Sequence, residues 1–219
     1  MEINKAWDWK QVKEQRWYQP SEDSYFLLHR WSDLGYKKFL DLGCGRGRHA
    51  LLFAHHNFEV SAVDLSEFAI DELQKNTKKL GLSLKCNVSD MTELPYEDGE
   101  FDCLMAYHVI SHSDTIGVNK AIKEIKRVVK RDGEVFITFG CKDTLKLMTR
   151  DFHHIEPNVI IKEDGHEKGI PHFYIDEISL KQLLIDFEII STRKIQNIDL
   201  PGSKKYGWHY FVHAKVTKQ

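Results

Sequence analysis

The chain predicts an α/β fold, a largely parallel and doubly wound sheet with helices on both faces. Short apolar runs alternate along it with helical patterns, the order that stacked strand–helix–strand units produce. Its first apolar run, Phe39-Leu40-Asp41-Leu42, passes directly into Gly43-Cys44-Gly45-Arg46-Gly47, where closely spaced glycines can swing a strand sharply into a helix. The 219 residues suffice for one such domain with a modest appendage and leave little room for a second.

Each element follows from its own pattern. Residues 37–42 read as the first strand and 47–56 as its helix. Phe58 to Val63 alternates as the second strand, after which Ser66 caps a helix whose Ala69, Leu73 and Leu80 share a face and which Gly81 ends. Leu82 to Val88 is the third strand and Phe101 to Ala106 the fourth. Ile122, Ile125, Val128 and Val129 line the apolar face of the next helix, and Gly133 opens a fifth strand, Glu134 to Phe139. Asp176 caps a helix carrying Ile178, Leu180, Leu183 and Leu184. The β-rich segments 187–195 and 208–216 follow, separated by Asp199-Leu200-Pro201-Gly202-Ser203, a stretch too short for a crossover helix, so they form an antiparallel pair. Two segments stand outside this rhythm. Residues 1–36 hold four of the five tryptophans (Trp7, Trp9, Trp17, Trp31), with Tyr18, Tyr25 and Phe26. Residues 141–175 are polar, long and His-rich, and they follow the carboxyl end of a strand, where open α/β sheets place their ligand crevice. The first segment is expected to fold over that crevice as a lid, with the main domain spanning 37–219 and 141–175 acting as its substrate-side insert.

Composition excludes several classes. A net charge of -2 provides no global basic field for nucleic acid or anionic lipid. No stretch approaches the roughly 20 apolar residues needed to span a bilayer, and Met1-Glu2-Ile3-Asn4-Lys5 lacks an apolar leader core, so a soluble, cytoplasmic protein is expected. Cys44, Cys86, Cys103 and Cys141 show no C-x-x-C spacing and fall in or beside strands, the pattern of reduced, packed thiols.

The glycine turn carries the chemistry. A dinucleotide loop would read G-x-G-x-x-G, with its third glycine where this chain has Arg48, and would hold an anionic pyrophosphate at the helix N-terminus. Asp41, two residues ahead of Gly43, would repel that ligand. S-adenosylmethionine carries an ammonium and a sulfonium with one carboxylate, and its charge pattern suits an aspartate beside the loop. Three further groups extend the reading. Asp64 ends the second strand about 20 residues beyond the loop, where a carboxylate can accept both hydroxyls of a ribose. Asp90 follows the third strand in Val88-Ser89-Asp90-Met91, placed for an exocyclic adenine amine while the Met91 N–H reaches a ring nitrogen. Tyr107-His108-Val109-Ile110-Ser111-His112 supplies polar groups after the fourth strand.

With Lys130-Arg131-Asp132-Gly133-Glu134 ahead of the fifth strand, the order and spacing of these segments resembles the class I, Rossmann-type S-adenosylmethionine-dependent methyltransferases over about residues 37 to 216. The resemblance implies a three-layer sheet of seven strands with the last antiparallel and a helical N-terminal lid. It implies Asp41, Gly43, Cys44 and Gly45 near the methionyl group, Asp64 with Leu65 at the ribose, Asp90 with Met91 at the adenine, and Tyr107 beside the methionyl part. Trp17 and Tyr18 are then cofactor-contact candidates in the lid. S-adenosylhomocysteine would be the product.

Methyl transfer from a sulfonium runs largely on orientation and exclusion of water, and needs a general base only when the acceptor enters protonated. A histidine is the natural base. His112 and His108 are the catalytic candidates because they follow the fourth strand, with Tyr174 and His172 as rivals. His153, His154, His166 and His172 make 141–175 histidine-rich, but no H-x-x-x-H falls there and the reaction needs no metal, so no metal ligands are expected. The acceptor is expected to be a small molecule, at oxygen or nitrogen. Neutral charge and the lack of an added RNA-binding module set it apart from a protein or RNA substrate, and no N-P-P-Y or D-P-P-Y element follows the fourth strand. A nucleotide-ligand binding module without catalysis is the alternative of another class, and turnover separates the two.

Overall fold

The computed structural model describes residues 5–147, 152–198 and 206–217. Strand β1 (Lys38–Leu42) is buried over four successive residues, as a strand covered on both faces requires. It pairs in parallel with β2 (Glu59–Asp64) on one side and with β4 (Phe101–Ala106) on the other; β3 (Lys85–Val88) and β5 (Val129–Cys141) extend the parallel order outward. Beyond β5 the direction reverses. Strand β10 (Tyr206–Val216) lies antiparallel between β5 and β9 (Phe187–Ile198); these seven strands are the ones the sequence leads one to expect, but the sheet extends to ten because three strands of the insert join it at β5. The turn at 199–203 lies outside the described residues.

Helices cover both faces. Leu27, Leu28 and Trp31 of α1 (Glu22–Asp33), Ala50 and Phe53 of α2 (Arg48–His55), and Ile70 and Leu73 of α3 (Glu67–Leu80) bury one face. Val118, Ala121, Ile122 and Ile125 of α4 (Thr115–Val128) bury the other, together with Leu180 and Leu184 from the region of α6 (Glu177–Leu183). Side-chain caps fix the helix starts: Ser66 accepts from Ala69 N, Asp114 from Gly117 N and Asp176 from Ser179 N. Such caps are each worth roughly 0.5–2 kcal/mol. Gly81 ends α3 in the left-handed conformation, φ 67°. The third strand starts only at Lys85, three residues after that turn releases the chain, and Ile178 of α6 points to solvent at 73% exposure. The described cysteines are all unbridged. No helix among the described residues is long and apolar enough to cross a membrane.

The insert at 141–175 departs from a polar loop. After α5 (Asp143–Leu147), it folds into β6 (His153–Glu156), β7 (Val159–Ile161) and β8 (Pro171–Ile175), an antiparallel meander. Strand β5 is longer than β4, and its overhanging Gly140 and Cys141 pair in parallel with Tyr174 and Ile175 of β8. The driving burial is concentrated in short runs, Val159-Ile160 and Pro171 to Ile175, with lysines, glutamates and glycines between them. The aromatic N-terminus also divides. Trp31 is wholly buried in the sheet layer, whereas residues 5–17, mostly turns with one 3-10 turn at Gln15–Trp17, run across the carboxyl ends of the strands.

Candidate active site

A cleft opens where β1, β2, β3 and β4 end, and each strand contributes the residues that leave it: Leu42-Gly43-Cys44, Val63-Asp64-Leu65, Ser89-Asp90-Met91 and Tyr107-His108-Val109, with His112 beyond. Lys5, Trp7, Trp9 and Trp17 enter from the N-terminal segment, and Ile170 from the insert. The glycines make this approach possible. Gly43 and Gly45 have φ of 67° and 54°; a Cβ on Gly43 would stand 2.3 Å from the Val109 side chain, and one on Gly45 would stand 2.3 Å from the Trp9 ring. Alanine at either position meets both strain and collision.

Asp64 is locked in place by the loop it serves. Its Oδ2 accepts from Gly45 N at 2.8 Å and its Oδ1 from Ser66 N at 2.8 Å, so each oxygen keeps acceptor capacity toward the cleft. Burial raises its pKa, and those two amides pull against the rise. Asp41 has a different place from the one expected. It is 1% exposed beneath the loop, outside the cleft lining, and its Oδ2 accepts from Ala50 N at 2.9 Å. Gly47 gives α2 no side-chain cap, and Asp41 supplies that bond from the neighbouring strand. Burial lifts its carboxyl to about 7 against the opposing pull of the Ala50 amide and the Arg48 guanidinium.

Asp90 and Met91 both line the cleft. Asp90 Oδ1 takes Thr92 N at 2.8 Å and Thr92 Oγ1 at 2.7 Å, which orients the carboxylate. Cys44 and Leu65 line it as well, but Gly45 contributes as the donor to Asp64, from outside the lining. Tyr18 is half exposed, outside the cleft, with the Arg46 guanidinium 5.0 Å from its ring centre. Trp17 occupies the position the sequence leaves open between them. Trp7, Trp9 and Trp17 meet edge to face with centroids 4.8 to 6.3 Å apart, forming an aromatic wall.

Two imidazoles, His108 and His112, line the cleft beyond the end of β4. His108 adopts φ 56°, donates its backbone N–H to Thr138 Oγ1 at 2.6 Å and stands 4.8 Å from the His209 ring. Burial first, then His209, holds His108 well below the ordinary histidine pKa; burial lowers His209 to about 4. Both are therefore neutral at pH 7. His112 lies nearer the mouth, stacked on Trp7 at 5.7 Å and 5.0 Å edge-on from His172. Tyr174 is buried, and burial raises its pKa, away from use as a base.

Arg48 and His49 line the cleft, and His209 backs His108 from behind the lining, without having been singled out as site residues from the sequence. Arg48 crosses over Trp17 and Tyr107 at 5.2 Å each and donates to Arg16 O at 2.7 Å, which ties α2 to the segment above the cleft. His49 accepts from Ser21 N at 3.2 Å. The alternation of Trp208-His209-Tyr210 in the last strand was the available signal for His209, because the register of β10 on β5 sets it opposite Gly140.

The cleft's donor set fits S-adenosylmethionine. Asp64, half-buried on the cleft wall, keeps acceptor capacity for hydroxyl or amine donors, and the neighbouring Asp90 and Met91 supply the acceptor and N–H that an adenine edge needs. The comparisons agree. The family described as "Methyltransferase domain" matches residues 40–137. The chain is 25% identical over 162 residues to 24-methylenesterol C-methyltransferase 2 of Arabidopsis thaliana, covering 73% of this chain and 44% of that protein. It is 27% identical over 180 residues to a malonyl-[acyl-carrier protein] O-methyltransferase of Legionella pneumophila, covering 74% of this chain and 62% of that one. It thus spans about half the length of the curated relatives it matches. Among solved structures, a S-adenosylmethionine-dependent methyltransferase of Methanosarcina mazei superposes with TM-score 0.70 at 23% identity over 83% of this chain and 93% of that one. A Burkholderia thailandensis 1,6-didemethyltoxoflavin-N1-methyltransferase, solved with S-adenosylhomocysteine, superposes with TM-score 0.63 at 20% identity over 90% and 78%.

Proposed function

Because the chain belongs to the class I, Rossmann-type S-adenosylmethionine-dependent methyltransferases, we propose that it methylates an oxygen or nitrogen atom of a small-molecule acceptor. The observation that carries the cofactor assignment is Asp64, a half-buried carboxylate fixed by Gly45 and Ser66 on the wall of a glycine-lined cleft. When bound, S-adenosylmethionine supplies a methyl group already activated on a sulfonium. Asp64 holds the ribose hydroxyls, Asp90 and Met91 the adenine edge, and Gly43 and Cys44 let the methionyl part approach the backbone. Trp7, Trp9 and Trp17 exclude water, which supports catalysis by orientation. A small-molecule acceptor is supported by the imidazole-lined end of the cleft, and the printed names of the relatives above include a sterol and a didemethyltoxoflavin. His108, neutral and half-buried, shapes that end, and His112 assists removal of a proton from the acceptor.

A screen of small molecules and extract fractions for release of S-adenosylhomocysteine tests this reading. Turnover with a small acceptor is the expected result. Cofactor binding with no turnover on any fraction would favour a silent binding module. Once the acceptor is in hand, His112→Asn should lower turnover by about 10²–10⁴-fold with cofactor affinity unchanged.

A further inference from the structure

We infer that His112, Glu167 and His172 form a binding site for a divalent transition-metal ion, of the zinc type, at the acceptor end of the cleft. One ligand atom from each lies within 4.8 Å of the other two, with His112 Nε2 3.8 Å from Glu167 Oε1 and His172 Nε2 3.8 Å from Glu167 Oε2. Zinc holds nitrogen and oxygen ligands at roughly 2.0–2.2 Å, so neighbouring ligands of a tetrahedral ion stand about 3.3–3.6 Å apart. Small side-chain rotations close that difference. Two imidazoles and one carboxylate are a donor set that zinc uses when one coordination position stays open for a reactant.

The fold brings these groups together from distant segments and holds them there. His112 belongs to the turn after β4, His172 to β8 and Glu167 to the turn between β7 and β8. The overhang of β5 joins the first two: Ser111 Oγ accepts from Gly140 N at 2.8 Å, and Ser111 O accepts from Phe173 N at 2.8 Å. His172 is buried and Trp7 stacks on the His112 ring, which restricts rotation of both imidazoles. The carboxylate already attracts a cation, since the Lys162 ammonium pairs with Glu167. That ammonium competes with a metal ion for the same oxygen pair.

His112 alone of the three lines the cleft, which sets the ion at its edge, on the acceptor side. Resting on the methyltransferase reading, an acceptor hydroxyl in the open position would lose its proton to bulk water under the pull of the ion, as bound water does when its pKa falls to about 7. His112 then assists proton removal as a ligand and not as the proton's destination. Metal binding itself requires no turnover, so it is tested apart from that reading.

The experiment titrates Co²⁺, then Zn²⁺, into the full-length, tag-free, metal-stripped protein, following the visible d–d bands and the heat of binding. A single saturating equivalent of Co²⁺ displaced by Zn²⁺ is expected. His172→Ala and Glu167→Gln should each weaken it roughly tenfold or more, and Lys162→Ala should tighten it several-fold. S-adenosylhomocysteine affinity, measured in parallel, should not change in Lys162→Ala. The inference is overturned by absence of Co²⁺ binding in the wild type, by affinity that Lys162→Ala leaves unaltered or lowers, or by thiolate-to-metal charge transfer that traces the ion to cysteine. Failure of S-adenosylhomocysteine to bind, with Co²⁺ still binding, would instead remove the methyltransferase reading and leave the metal site.

Discussion

Asp64 and Asp41 both accept from backbone amides, yet they face opposite demands. Asp64 is half-buried on the cleft wall with its backbone donors in place, so its remaining acceptor capacity is open to a ligand. Asp64→Ala should therefore weaken S-adenosylhomocysteine binding by about 1.5–3 kcal/mol, the scale of hydrogen bonds to a charged group; equal affinity by calorimetry would remove the ribose assignment. Asp41 has no place on the cleft wall and serves α2. Its folded pKa of about 7 stands above the ordinary 3.8, so the native state binds the proton more tightly than the unfolded chain does. Its contribution to stability is complete below the ordinary value and is lost as pH rises through 7. Asn keeps the acceptor for Ala50 N and has nothing to ionise. Chemical denaturation of the unliganded protein should thus show Asp41→Asn gaining a few kcal/mol on the wild type between about pH 4 and pH 8, at about 1.4 kcal/mol per pK unit. A pH-independent difference would contradict the buried-acid reading.

Glu134 shows how one side chain joins three elements. Near the start of the core run of β5, it accepts from Arg30 Nε and Nη2 at 2.9 and 2.6 Å, takes Trp31 Nε1 at 2.8 Å from α1, and lies 2.8 Å from His213 Nε2 on β10. Burial alone would raise its pKa, but the hydrogen bonds from His213, Arg30 and Trp31 outweigh that and hold it at about 2. Glu134→Ala strands these donors and should cost about 3–5 kcal/mol in urea unfolding. A folded pKa below the ordinary 4.5 means that the wild-type advantage is present above that value and disappears as pH falls through 2. Persistence of the advantage in strong acid would show that packing, not the carboxylate, supplies it. The sequence made the strands and capped helices legible because each states its own period and cap: Ser66 and Asp176 both do locally what their type does best. The Asp64 and Asp90 positions were legible for the same reason, as both sit at strand ends. Local pattern could not show what depends on register between distant strands. His209 comes against His108 through the pairing of β10 with β5, and His172 against His112 through the overhang of β5 beyond β4. Asp41 was read as a ligand-facing charge because nothing in its own segment announces that Gly47 leaves α2 uncapped.

At the scale of the whole molecule, residues 5–17 bridge parts that the sheet keeps separate. Arg46 Nη2 donates to Trp9 O at 2.7 Å, Arg48 Nη1 to Arg16 O at 2.7 Å, and Lys5 Nζ to Lys168 O at 2.6 Å, so the segment is tied to the glycine loop, to α2 and to the insert. These ties are mostly single hydrogen bonds at or near the surface. Such bonds contribute about 0.5–1.5 kcal/mol each. Trp9 and Val12 add a small cluster against Ala69, separate from the larger core in which Trp31 fixes α1. The segment can therefore open locally while α1 and the sheet stay folded. We propose that it acts as a lid that admits S-adenosylmethionine and closes once the cleft is filled. Hydrogen exchange should then slow in residues 5–17 on adding S-adenosylhomocysteine, with α1 unchanged, and tryptophan emission should shift because Trp7, Trp9 and Trp17 line the cleft while Trp31 does not. Trp9→Ala removes the ring that packs over Gly45 and should raise the exchange rate of the segment even without ligand. Equal protection of residues 5–17 with and without S-adenosylhomocysteine, in a sample shown to bind it, would mean that the segment is a fixed wall and that the cofactor enters elsewhere.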